Sequence, residues 1–195
     1  EDPRQWWDNT CSIIRELIAA GGIAASDIKA VGVTGMLPAL VLLDQDDGLL
    51  RPSIQQSDGR VGAEVAELQA EIDTEAFLRK TGNGVNQQLI ATKLRWLEKH
   101  EPAVFAKIAT AFGSYDFINW KLTGRKAVEK NWALEAGFTD LASGRLSDDL
   151  ITLGHVAPSV IPPIVASHAI LGHVTAAAAA ATGLPEGVPV VGGAA

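Results

Sequence analysis

The stretch from Ala30 to Arg60, AVGVTGMLPALVLLDQDDGLLRPSIQQSDGR, restricts the fold more than any other part of this chain. Val31 and Val33, then Leu40 to Leu43, form β-branched and aliphatic runs far too short to cross a membrane. Short apolar runs of this kind belong to strands covered on both faces. Asp44-Gln45-Asp46-Asp47-Gly48 is a turn between such runs. A third short strand then delivers the polar cluster Gln55-Gln56-Ser57-Asp58-Gly59-Arg60, which leads into a helix. A small polar ligand is expected at that cluster.

Helical segments surround this core. Asp2 suits an N-cap, Pro3 the first helical position and Gln5 a capping box, and Trp7, Thr10, Cys11, Ile14, Leu17 and Ile18 follow the helical period up to Gly21-Gly22. Ala30 to Thr34 follows as a strand, and Gly35 permits unusual φ or close approach by a ligand. After Arg60 the pattern predicts helices over 61–72, 74–80, 89–100 and 102–108, a strand over 109–113, and a helix capped by Ser114 that ends at Gly124. Phe138 to Leu141 reads as a strand, Ser147 caps a short helix, Pro158 to Pro163 is an extended connector, and Thr175 and Gly183 bound an alanine helix. Pro189 to Ala195 is a terminal strand entering a Gly-rich turn. Alternating helices and buried strands give an α/β fold.

The formal charge of −7 excludes a nucleic-acid surface, because phosphate neutralisation needs clustered basic residues and here they are scattered. The single cysteine, Cys11, falls in an apolar helical stripe and reads as a buried structural thiol. No membrane and no secretory leader are expected, and a reducing cytoplasm is the simplest home. The chain begins at Glu1 without Met and stops as a strand delivers its loop, so a fragment truncated at both ends is expected.

Two loops carry the candidate chemistry. Amides donate and accept together, so Asn86-Gln87-Gln88 suits a ligand with several hydroxyls; the alternative is an ordinary helix start with Asn86 as cap. Asp58-Gly59-Arg60 sets a carboxylate and a guanidinium near a substrate; the alternative is Asp58 as N-cap with Arg60 on the first helical turn. Asp46-Asp47 and Asp148-Asp149 are adjacent pairs whose side chains diverge, so neither forms a two-carboxylate hydrolase site. His100, His155, His168 and His173 lack the spacing of a zinc helix. Trp132 is a candidate to face a cleft, and there is no complete phosphate-binding loop.

Taken in order, these segments resemble the FGGY family of carbohydrate kinases, particularly its xylulokinase-like members. The residues that carry the resemblance are Asp2-Pro3 with Trp6-Trp7, Ala30 to Gly35, Leu42-Leu43-Asp44, Leu50-Arg51-Pro52, Asp58-Gly59-Arg60, Lys93-Leu94 with Trp96-Leu97, Glu101-Pro102, Asp116 to Gly124, and Gly183 to Gly193. The resemblance implies a ribonuclease-H-like, actin-like ATPase fold, with this chain as most of the N-terminal sugar-binding lobe, with inserted helices, and the C-terminal ATP lobe absent. It implies phosphoryl transfer from ATP with Mg2+ to a sugar or polyol, D-xylulose first, and leaves a homodimer open for the full-length enzyme. The alternatives are another ketose or polyol, or a nucleotide-gated sugar-binding or regulatory module without turnover.

No catalytic residue is expected within the chain; the family's base is an Asp in the loop after the Gly-Gly strand, just beyond Ala195. The implied substrate contacts are Leu37, Pro38, Gln56, Asp58, Asn86, Gln87 and Gln88, with Arg60 in support. Three departures bear on the substrate. Met36-Leu37-Pro38-Ala39 stands where relatives often carry Gln-Met-His-Gly, Gln56-Ser57-Asp58 stands for Trp-Asn-Asp, and Asn86-Gln87-Gln88 stands where relatives place an aromatic or Gly-Phe.

Overall fold

The computed structural model describes residues 1–193. Its helices are α1 (Pro3–Ala20), α2 (Gly62–Glu71), α3 (Thr74–Thr81), α4 (Ile90–His100), α5 (Pro102–Phe105), α6 (Ser114–Thr123), α7 (Lys130–Glu135), α8 (Asp148–Ile151) and α9 (Ala176–Thr182). Its strands are β1 (Val41–Leu43), β2 (Thr110–Phe112), β3 (Val128–Glu129), β4 (Thr139–Asp140), β5 (Arg145–Leu146), β6 (Ile164–Val165), β7 (Ile170–His173) and β8 (Pro189–Val191).

The strands are short and pair two by two. β1 runs antiparallel to β2 with Val41 opposite Phe112, and β7 antiparallel to β8. β3 and β6 are parallel, while β4 and β5 form a hairpin. The strand expected over Ala30–Thr34 is reduced to one parallel bridge between Val31 and Val190, and the third strand after Asp44–Gly48 to bridges Leu40–Ile54 and Leu43–Leu49. Too few backbone groups pair there to make a ladder. The Leu40–Ile54 bridge nevertheless fixes the geometry that matters: each residue donates its N–H to the other's carbonyl, at 2.9 and 3.2 Å. Pro38 and Gln56 therefore lie two residues outward from the same bridge.

Leu40 to Leu43 are at most 1% exposed and pack with Phe112, Phe117, Leu94, Trp132 and Val190 in the main core. Leu68, Phe77, Val85, Leu89 and Leu150 form a second cluster under α2 and α3. α1 packs on α6 and α9, held at its far end by Arg15 donating to the Ala180 carbonyl. Among the described residues no helix is long and apolar enough to cross a membrane.

Several local expectations need correction. Asp2 caps α1 through the Arg4 N–H, but Gln5 bonds Asn9 instead of closing a capping box. Cys11 is half-buried, because its position on α1 lies at the margin of the face that packs inward. The fifth helix stops at Phe105. Ser114 is the first residue of α6, which is capped by Gly113 and Asp116: the Asp116 carboxylate accepts the Gly113 N–H at 3.0 Å. The expected Gly-rich turn runs on into Ala194 and Ala195, which lie outside the described residues.

Candidate functional site

The strand-end segment Met36–Ala39 is fastened by side chains from three helices. Ser114 Oγ of α6 donates to the Met36 carbonyl at 2.9 Å. Lys93 Nζ of α4 donates to the Pro38 carbonyl at 3.3 Å, and the Trp132 indole N–H of α7 donates to the Ala39 carbonyl at 2.9 Å. Buried backbone carbonyls must find donors, and where a chain turns off a strand those donors come from side chains. The Leu37–Pro38 peptide bond is cis. Pro38 is buried, Leu37 half-buried against the core, and Met36 exposed.

In the segment that follows the other half of the Leu40–Ile54 bridge, Arg60 forms a two-point ion pair with Asp58, Nε to Oδ1 at 2.8 Å and a terminal nitrogen to Oδ2 at 2.7 Å. Asp58 also accepts the Arg60 backbone N–H at 3.1 Å. α2 begins only at Gly62, so Asp58 is not its N-cap; the carboxylate closes a turn within the loop. The Arg60 guanidinium lies 4.7 Å from the Trp96 ring centroid and is steadied by it. Its hydrogen bonds hold the Asp58 carboxyl below the usual range, so Asp58 is an ionised acceptor at neutral pH.

The amide loop is adjacent. A Cβ on Gly59 would lie 3.6 Å from Gln87 Oε1, which places Asn86–Gln88 against the Asp58–Gly59 turn. Asn86 does not cap α4, whose N-cap is Leu89; its Oδ1 accepts the Gln88 N–H at 2.7 Å instead. Asn86, Gln87 and Gln88 line an open hollow of about 490 Å³ with α2 residues including Gln69. A second cleft, about 280 Å³, is lined by Thr34, Gly35, Met36, Gln55, Ser114 and Tyr115 together with Trp6 of α1. Gly35 lets α6 approach closely there, since a Cβ would lie 3.0 Å from Ser114 Oγ. The described residues thus bring Asp58, Arg60 and Gln87 together, and set Pro38 and Gln56 at one bridge end. Gln56 is half-buried with no side-chain hydrogen bond among the described residues, which leaves its amide free for a ligand.

Trp132 does not face a cleft: it is completely buried, because a Cβ-less Gly113 lets its ring pack over the α6 N-terminus. Beneath it lies an acid pair: Asp116, which opens one of the runs that carry the family resemblance, and Glu129, which no motif singled out. Glu129, fully buried, accepts from Tyr115 Oη at 2.8 Å, Ser167 Oγ at 2.6 Å and the Asn131 and Trp132 N–H groups. Asp116 accepts the Gly113 and Glu129 N–H groups, and burial raises its carboxyl to about 7 against those two bonds. Lys93 was legible only as part of a family motif. The available signal was its phase: it falls three after Ile90 and four before Leu97, on the apolar face of α4.

Among the described residues no three His, Cys, Asp or Glu side chains converge as metal ligands.

Comparison with known proteins accounts for this arrangement. Residues 1–195 match the model of the FGGY family of carbohydrate kinases, N-terminal domain. The chain is 31% identical over 194 residues to L-xylulose/3-keto-L-gulonate kinase of Escherichia coli, covering 98% of this chain and 39% of that protein. It is 30% identical over 193 residues to the xylulose kinase of the same organism, covering 99% of this chain and 39% of the relative. The crystal structure of xylulose kinase from Rhodospirillum rubrum superposes with a TM-score of 0.96 at 61% identity, over 100% of this chain and 40% of that one. Plasmodium falciparum glycerol kinase, at 20% identity and a TM-score of 0.86 over 98% of this chain and 39% of that one, shares the fold. The chain therefore spans about two fifths of the length of these relatives, with the actin-like ATPase fold of a partial N-terminal lobe. Over its whole length it belongs to the FGGY family of carbohydrate kinases.

Proposed function

We propose that this chain is the sugar-holding lobe of an ATP-dependent sugar kinase, with D-xylulose as the first candidate substrate and D-xylulose 5-phosphate as product. The observation that carries the reading is an ionised Asp58 carboxylate, held by Arg60 and set against the amide loop at Gln87, in the segment that the Leu40–Ile54 bridge joins to the fastened strand end Met36–Ala39. A carboxylate accepts hydroxyl hydrogens, while amides both donate and accept, which is what a polyhydroxylated ligand requires. The xylulose and L-xylulose kinases among the relatives support the substrate class. When bound, ATP with its magnesium ion would supply the phosphoryl group, and parts of the enzyme outside this chain would hold most of both. The general base would be the Asp that the family resemblance puts just beyond Ala195.

The work of this lobe is to fix the acceptor hydroxyl. Leu37 and Pro38 give a shaped apolar floor, Gln56 and Asp58 hold hydroxyls from one side, and Asn86, Gln87 and Gln88 hold them from the other. Arg60 keeps the Asp58 carboxylate in place. Positioning of this kind is powerful, since a displacement of about 1 Å costs roughly 100-fold in rate. Where family members carry a histidine, Pro38 offers no side-chain donor, so a different ketose or a polyol is the second reading.

A coupled ADP-release assay on the full-length protein with D-xylulose, L-xylulose, D-ribulose, D-fructose and glycerol tests the proposal. Turnover of a ketose or polyol is expected; turnover of none supports a regulatory module instead. Gln88→Ala should raise the sugar KM much more than the ATP KM, and equal effects would remove Gln88 from the pocket.

A further inference from the structure

Lys93 is an unusual residue to find where it is. It sits on α4 at 0% exposure, in the face formed by Ile90, Leu94 and Leu97. An ammonium has three donors, and the one hydrogen bond formed among the described residues is the 3.3 Å contact to the Pro38 carbonyl. Among the described residues no carboxylate pairs with it, and Asp58 acts on it only through space. Burying a cation so sparsely paired is costly, and an apolar side chain of similar length would serve the core better. Pro38, whose carbonyl Lys93 serves, lies two residues outward from the Leu40–Ile54 bridge, at the same end as Gln56.

We propose that Lys93 is a positioning residue for the sugar: its charged hydrogen bond to the Pro38 carbonyl holds the Met36–Ala39 strand end in the place from which it meets the substrate. This rests on the sugar-kinase reading. Lys93 does not touch the substrate; it acts through the Pro38 carbonyl.

The tie depends on protonation. Burial pulls the Lys93 ammonium down to about 8, with the Asp58 carboxylate opposing that fall. Above that pH the bond to the Pro38 carbonyl is no longer charge-assisted, and sugar binding weakens. The other charged groups on or against α4 are engaged elsewhere: Lys99 with Glu64 and Glu67, Arg95 with Glu71, and His155 with Glu98. Arg60 is already paired to Asp58 and stays charged throughout.

The test is Lys93→Met and Lys93→Arg in the full-length protein, assayed with the fastest sugar of the panel above. Lys93→Met is expected to raise the sugar KM at least 10-fold with the ATP KM within 2-fold. Wild type should lose kcat/KM for the sugar above about pH 8, and Lys93→Met should lack that limb. Lys93→Arg should recover part of the affinity and carry no limb in the accessible range; it also serves if the Met variant fails to fold. Unchanged sugar KM with a retained limb overturns the proposal, as does an equal rise in both KM values. If wild type turns over no sugar, calorimetric titration with the same panel decides: sugar binding weakened by Lys93→Met keeps the positioning role while removing the kinase reading, and no binding by wild type overturns both.

Discussion

Replacing Trp132 by Phe isolates the contribution of one indole to the framework of the site. The ring is fully buried and its N–H donates to the Ala39 carbonyl at 2.9 Å. Phe keeps an aromatic ring but has no donor, so the Ala39 carbonyl is left buried without a partner, at a cost of about 1–3 kcal/mol. The lost second ring leaves a void beside Gly113 and Phe138, adding about 1–2 kcal/mol because a packed core collapses only in part. A total near 3 kcal/mol corresponds to a fall in Tm of roughly 6–12 °C for a domain of this size. Thermal unfolding followed by circular dichroism, with urea titration to check that the slope is unchanged, measures it. A loss under about 0.5 kcal/mol would refute the reasoning, since that is the range of a surface substitution with no buried bond.

Two further outcomes follow from the same region. Asp116 has a folded carboxyl raised to about 7 against an unfolded value near 3.8, so its contribution to stability is fully present below about pH 4 and is lost as pH rises to about 7. Asp116→Asn should flatten a slope of at most about 1.4 kcal/mol per pH unit over that window, read from urea midpoints; an unchanged slope assigns it to another group. Gly193 adopts φ +90°, and a Cβ there would lie 2.2 Å from the Val33 carbonyl oxygen, so Gly193→Ala should cost more than about 2 kcal/mol. A neutral Gly193→Ala would mean that β8 does not approach the Val31–Val33 segment as closely as described.

How much of this was legible in the sequence varied with the kind of interaction. Helices with a clear apolar period and a cap or a terminal glycine were found nearly at their bounds, as α3 and α9 show with Asp73 or Thr175 at one end and Gly82 or Gly183 at the other. These signals are local, and the chain reads them locally. Strands were less secure: Val31–Thr34 carries strand-like residues, but a strand exists only where a partner supplies a ladder, and here one bridge forms. At the site, the Asp58–Arg60 pair was recognisable because its partners are two residues apart. The fastening of Met36–Ala39 was not, since Lys93, Ser114 and Trp132 lie 55, 78 and 93 residues from the carbonyls they serve. Trp132 was misplaced for the same reason: nothing near it in sequence shows that Gly113 makes room for its ring.

That fastening separates two kinds of variation. The path of the backbone through residues 36–39 is set by donors on α4, α6 and α7, none of which belongs to the segment itself. The exposed side chain at 36 is thereby released from holding the loop in shape, while Leu37 and Pro38 remain tied to the core by their own packing. Position 36 is a fitting on a fixed mount: it can change without the scaffold beneath being rebuilt.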